Sequence, residues 1–186
     1  MPTIGVSIAV PDPFGTALQD FRVSLGDEPA RHIPTHITLV PPAEVPESEL
    51  DAVGTHLREA AAAQEPFRVR LRGTGTFRPV SPVVFVGVVE GIGGCEMLAA
   101  ATRSGPLGLA GRFPYHPHVT IAHDLDDELL DLAFAELAGF DAAFEVDRFW
   151  LYMHDERHGW RPTRGFQLGG GHEGGGPPPN WSRGSA

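Results

Sequence analysis

The chain alternates between two rhythms of apolar and polar positions. Thr3 to Val10 (TIGVSIAV) is a β-branched, apolar run and predicts a first strand. After Pro11-Asp12-Pro13, Leu18, Phe21 and Leu25 recur at helical spacing, which predicts a helix over 14–25 ended by Gly26 and Asp27. A strand follows Pro34 and is expected to stop at Pro41-Pro42. Ser48 and Asp51 look like a capping pair for a helix to about Gln64, with Leu50, Val53 and Leu57 inward. Phe67 to Arg72 alternates apolar and Arg residues, as a half-buried strand does, with its Arg face toward solvent or a ligand. Phe77-Arg78-Pro79 leads to another strand over 83–86.

The second part of the chain repeats this order. A helix over 93–103 precedes a strand after Pro117, and a helix over 126–138 turns Leu129, Leu130, Ala133 and Leu137 inward. Strands are expected over 144–153 and 165–168. From Gly169 to Ala186 the Gly/Pro/Ser-rich sequence has no periodicity and reads as a disordered tail. The pattern is that of an α+β protein: one bilobal domain over 1–168, with two similar lobes of antiparallel sheet and flanking helices facing each other across a central cleft.

Within this pattern one phrase occurs twice. Thr35-His36-Ile37-Thr38-Leu39-Val40 returns as Pro117-His118-Val119-Thr120-Ile121-Ala122. Residues i and i+2 of a strand share a face, so His36 and Thr38 point one way and Ile37 and Leu39 the other. The same holds for His118 and Thr120 against Val119 and Ile121. Two imidazoles and two hydroxyls aimed into one space are an acid–base pair with hydrogen-bond donors, which suits phosphoryl chemistry. Packed or surface histidines are the plain alternative.

Composition narrows the partners. All 14 basic residues are Arg and the formal net charge is −10, so extended binding to long nucleic acid is not expected. A small focused phosphate site fits better. The single cysteine, Cys95, forms no internal disulfide, and it reads as a structural thiol. No apolar stretch is long enough for a membrane span and Met1-Pro2-Thr3 lacks a basic leader, so a cytoplasmic protein is expected.

The segments IPTHITLVPP (33–42), TFRPVSPVVFV (76–86), PHVTIAHDLDD (117–127) and VDRFWLY (146–152) resemble the 2H phosphoesterase superfamily, also called the 2′-5′ RNA ligase or cyclic phosphodiesterase family. They are most similar to its bacterial YjcG-type branch. The resemblance covers residues 1 to about 168 and implies the two-lobed fold with a pseudo-two-fold axis. It also implies catalysis by His36, Thr38, His118 and Thr120 without a cofactor, on 2′,3′-cyclic phosphate or 2′-5′-linked nucleotides and RNA ends. Where the better-characterised branch carries an Arg three residues after the second Thr, this chain has His123. His123 is therefore a candidate phosphate contact.

Arg78 is a further candidate substrate contact, and Phe77 or Tyr115 a candidate base-stacking ring. Arg112 is another possible anion contact. Two rival readings differ in class. In the first, His116, His118 and His123 hold a metal near His36, although simple alternation puts His123 on the opposite face from His118. In the second, the chain is a non-catalytic module that binds a nucleotide or RNA end.

Overall fold

In the computed structural model, residues 1–109, 114–170, 177, 178 and 181 are described. Among the described residues, eight strands and four α-helices follow one another along the chain. Strand β1 (Thr3–Ala9), helix α1 (Phe14–Ser24), β2 (His36–Glu44), α2 (Leu50–Ala62) and β3 (Phe67–Thr76) come first. They are followed by β4 (Val83–Glu90), α3 (Ile92–Arg103), β5 (His118–His123), α4 (Asp127–Glu136) and β6 (Asp141–Val146). A final hairpin consists of β7 (Arg148–Asp155) and β8 (Gly159–Gln167).

The strands form two antiparallel four-stranded sheets, ordered β2-β1-β7-β8 and β5-β4-β3-β6. This is the expected α+β, pseudo-two-fold architecture, with each motif strand at the edge of its sheet. The lobes do not coincide with the halves of the chain, however. After β2 the chain crosses to the other sheet, where β3 pairs with β4. The equivalent place beside β1 is filled by β7. The helices exchange in the same way: α1, which leads into β2, lies against β5, while α3, which leads into β5, lies against β2.

One apolar cluster runs through both sheets and all four helices. It includes Ile4, Val6, Ile37 and Leu39 of the first sheet, Val84, Val86, Val119 and Ile121 of the second, and Leu18, Leu57, Leu98 and Leu130 of the helices. Burial of each such side chain is worth about 1.5–3 kcal/mol. This core therefore holds the motif strands from behind and leaves their other faces free for polar groups.

Several local expectations need correction. Strand β2 runs through Pro41-Pro42, because an edge strand can lack N–H donors on its outer side. Helix α2 has no side-chain cap at Ser48. A short 3₁₀ turn over Glu47–Glu49 leads directly into it. The expected strand over 144–153 is two strands, split at Asp147 and assigned to different sheets. The Arg face of β3, by contrast, lies in solvent as expected, where it also meets carboxylates: Arg70 Nε and Nη2 donate to Asp141 at 2.8 and 2.6 Å, and Arg68 lies 3.6 Å from Glu90. Of the segment expected to be disordered, Gly169 N–H donates to the Gln64 carbonyl at 2.8 Å and Trp181 packs on β7. The rest of that segment beyond Gly170, apart from Pro177 and Pro178, lies outside the described residues.

Candidate active site

The two edge strands β2 and β5 lie against each other, and both show the expected alternation. Ile37, Leu39, Val119 and Ile121 have no exposed surface, whereas His36, Thr38, His118 and Thr120 are half-buried on the opposite faces. Each imidazole is anchored in the same way. His36 Nδ1 lies 2.6 Å from the Pro34 carbonyl oxygen and His118 Nδ1 lies 2.7 Å from that of His116, in each case two residues upstream. A carbonyl only accepts, so both Nδ1 atoms carry the proton. Each Nε2 is then left to take or give one.

The two motif strands share a further irregularity. In β2, Val6 pairs with Val40 and Ser7 with Thr38, so Leu39 is an extra residue. In β5, Val84 pairs with Ala122 and Phe85 with Thr120, so Ile121 is an extra residue. Each motif is thus followed at once by a β-bulge, which turns two consecutive residues into the core. The bulge reverses the alternation beyond it. His123, which simple alternation places away from His118, therefore falls on the face of His118 and Thr120. It is half-exposed there, with Nε2 3.2 Å from Asp124 Oδ2.

The surroundings of the two histidines differ. Burial is the main cause that pushes the His36 imidazole below its ordinary value, and the Arg22 guanidinium and His118 push the same way. Arg22 is itself buried, donating to Asp27 Oδ2 from Nε and Nη2 at 3.0 and 2.6 Å. His118 is also held low, first by burial and then by His116. It stands edge-on to the Phe77 ring, with centroids 4.9 Å apart, and tilted against the Phe85 ring at 5.3 Å. Phe77 is thus a neighbour of His118.

The remaining candidates are placed as follows. The Tyr115 hydroxyl donates to the Thr38 carbonyl at 2.9 Å, and its ring lies under the Arg103 guanidinium at 4.9 Å. Arg103 Nε in turn donates to the Leu39 carbonyl at 2.6 Å. Both groups therefore fasten β2 at its bulge. Arg78 donates from Nη2 to Asp131 at 2.7 Å and from Nη1 to Asp127 at 3.4 Å, which draws it onto α4. Arg112 lies outside the described residues. Among the described residues, no group of three His, Cys, Asp or Glu side chains is placed to hold a metal ion. Thr35 was not singled out from the sequence. Its hydroxyl donates to the Gly15 carbonyl at 2.6 Å and fixes the start of β2 to α1, a contact that no local pattern announces.

Residues 10–158 match the family model described as the 2′-5′ RNA ligase superfamily. The chain is a member of the 2′-5′ RNA ligase superfamily. A protein of Oceanobacillus iheyensis named "Putative phosphoesterase OB1230" is 33% identical over 74% of this chain and 81% of its own length. A Geobacillus kaustophilus protein with the same kind of name is 31% identical over 82% and 91%. Among solved structures, TT0787 of Thermus thermophilus has a TM-score of 0.65 at 24% identity, covering 92% of this chain and 100% of that one. E. coli LigT complexed with 3′-AMP has a TM-score of 0.64 at 22% identity, covering 90% and 99%. These structures share the fold of this 2′-5′ RNA ligase superfamily member, and its curated relatives carry phosphoesterase names.

Proposed function

We propose that this phosphoesterase-family chain hydrolyses 2′,3′-cyclic phosphates or 2′-5′-linked nucleotides and RNA ends, by acid–base catalysis between His36 and His118. The observation that carries this reading is the matched pair of Nδ1-anchored histidines on two abutting edge strands, each with a threonine on the same face. LigT, which shares the fold, is known in complex with 3′-AMP, and that supports a nucleotide phosphate as the ligand.

In the proposed step, the neutral imidazole takes a proton from water at Nε2 as the oxygen attacks phosphorus. The protonated imidazole gives its Nε2 proton to the ribose oxygen as the bond from phosphorus to that oxygen breaks. The Thr38 and Thr120 hydroxyls donate to the non-bridging oxygens, where charge develops. His123, on the same face beyond the bulge, adds a donor for the phosphate. This scheme assigns both proton transfers to side chains and needs no metal or cofactor. The acidic chain, at −10, favours a small substrate or an RNA end over long nucleic acid.

The test is turnover of 2′,3′-cyclic nucleotides, RNA ends bearing cyclic phosphate and 2′-5′ oligomers in EDTA. The His36→Ala and His118→Ala proteins are run in parallel. Each substitution is expected to lower kcat about 10²- to 10⁴-fold. Full activity in both variants refutes the mechanism. Binding of a nucleoside 2′-phosphate with no turnover of any substrate makes the chain a binding module instead.

A further inference from the structure

The face of the first sheet that carries His36 and Thr38 continues well past them. Thr38 and Trp150 both stand opposite Ser7, on its two sides, and Gly165 stands opposite Trp150. Directly paired residues of antiparallel strands share a face, so these four form one row across the sheet. Adjacent strands lie about 4.8 Å apart, which puts Trp150 about 10 Å from Thr38 across the row. Tyr152 pairs with Gly5 one row along. The Trp160 ring lies over Gly5, where an added Cβ would come within 3.3 Å of it. Gly5 thus leaves the room that the Trp160 ring takes up.

Trp150, Tyr152 and Ala9 make a small buried cluster separate from the main core, with Trp160 and Trp181 packed against it. Trp150 and Tyr152 are only 5% and 6% exposed. Yet Trp150 Nε1 has no hydrogen-bond partner among the described residues, and the Tyr152 hydroxyl, beside Ser7, has no well-formed one. A buried donor left unpaired is costly, and a cluster present only for packing would have no use for it. Trp181 reaches this cluster from the far end of the chain. Its N–H donates to the Pro178 carbonyl at 2.9 Å, and Pro178 is buried.

We propose that Trp150, Tyr152 and Trp160 form a subsite for the base of a nucleoside monophosphate, and that Trp181 of the chain's own C-terminal segment occupies it until such a base displaces it. The proposal rests on the phosphate being held at His36 and His118. A bare phosphate cannot bridge the 10 Å row, whereas a nucleotide can. The indole N–H of Trp150 only donates, so it selects a ring that presents an acceptor, a carbonyl or a ring nitrogen. The aromatic faces stack on any base. Because Trp181 is tethered, it competes at a high effective concentration and weakens nucleotide binding without touching the phosphate.

The experiment is calorimetric titration with adenosine 3′-monophosphate, uridine 3′-monophosphate and inorganic phosphate. The full chain is compared with a chain ending at Gly170, with Trp181→Ala and with Trp150→Phe. Both tail variants should bind a nucleotide at least fivefold more tightly and bind inorganic phosphate unchanged. Trp150→Phe, which keeps a ring but loses the N–H, should weaken the nucleotide alone. Equal nucleotide affinity with and without the tail overturns the proposal. Nucleotides that bind no better than inorganic phosphate in every chain overturn the subsite while leaving the phosphate centre intact. Failure of every chain to bind phosphate or nucleotide removes the phosphate centre too.

Discussion

The Tyr115 hydroxyl donates to the backbone carbonyl of Thr38 at 2.9 Å, so the approach to the second motif strand is tied to the first motif itself. Tyr115→Phe keeps the ring beneath Arg103 and removes only this bond. The expected cost is about 1 kcal/mol of stability, read as a lower urea midpoint, together with a several-fold loss in kcat/KM as β2 loosens. A variant unchanged in both measurements would show that the bond positions nothing.

Proton linkage gives a second prediction. His36 and His118 are both held below the ordinary 6.5, chiefly by burial. Below that pH the unfolded chain binds protons that the folded chain resists. The two sites' contribution to stability is therefore complete above about pH 6.5 and is lost as pH falls through their lowered values. Urea midpoints between pH 7.5 and 5 should decline, and less so in His36→Gln. Activity needs one imidazole charged and one neutral, so the kcat/KM profile should peak on the acid side of 6.5. A peak at pH 8 would contradict the assignment.

His123 beyond the bulge is a half-exposed imidazole rather than a permanent cation. His123→Arg, which puts a permanent cation on this face, should tighten inorganic phosphate about two- to tenfold. Competition kinetics with inorganic phosphate measure the gain. Unchanged phosphate affinity would mean that this position does not reach the phosphate.

Cys95 is fully buried, and burial pushes its thiol up to about 12. The native protein should leave an aromatic disulfide reagent unreacted at pH 8 for hours, and urea should release one thiol per chain. Rapid reaction of the native protein would place Cys95 at an accessible surface.

The motif faces were legible because alternation is local: His36 and Thr38 share a face whatever the rest of the chain does. The helices were legible for the same reason, with Leu18, Val53, Leu57 and Leu130 turned into the core as their spacing requires. The bulges were not. Leu39-Val40 and Ile121-Ala122 read as plain continuations of apolar strands, and only pairing with β1 and β4 shows the extra residue. The side of the sheet that His123 occupies was hidden with them. Asp147 gives no turn signal strong enough to separate β6 from β7. The row that joins Thr38 to Trp150 depends on a pairing between strands far apart in sequence, which no window of sequence contains.

The exchange of β3 and β7 between the lobes bears on how the molecule is made. The sheet that presents His36 draws β1 and β2 from the start of the chain and β7 and β8 from its last third. The other sheet is drawn entirely from the middle. During synthesis the middle sheet can pair as soon as β6 emerges, while β1 and β2 must wait for β7 with part of their apolar surface uncovered. Contacts this distant in sequence fold slowly. The half-site bearing His118 is therefore expected to mature first, and the one bearing His36 to be completed last and to be the more exposed to aggregation on the way.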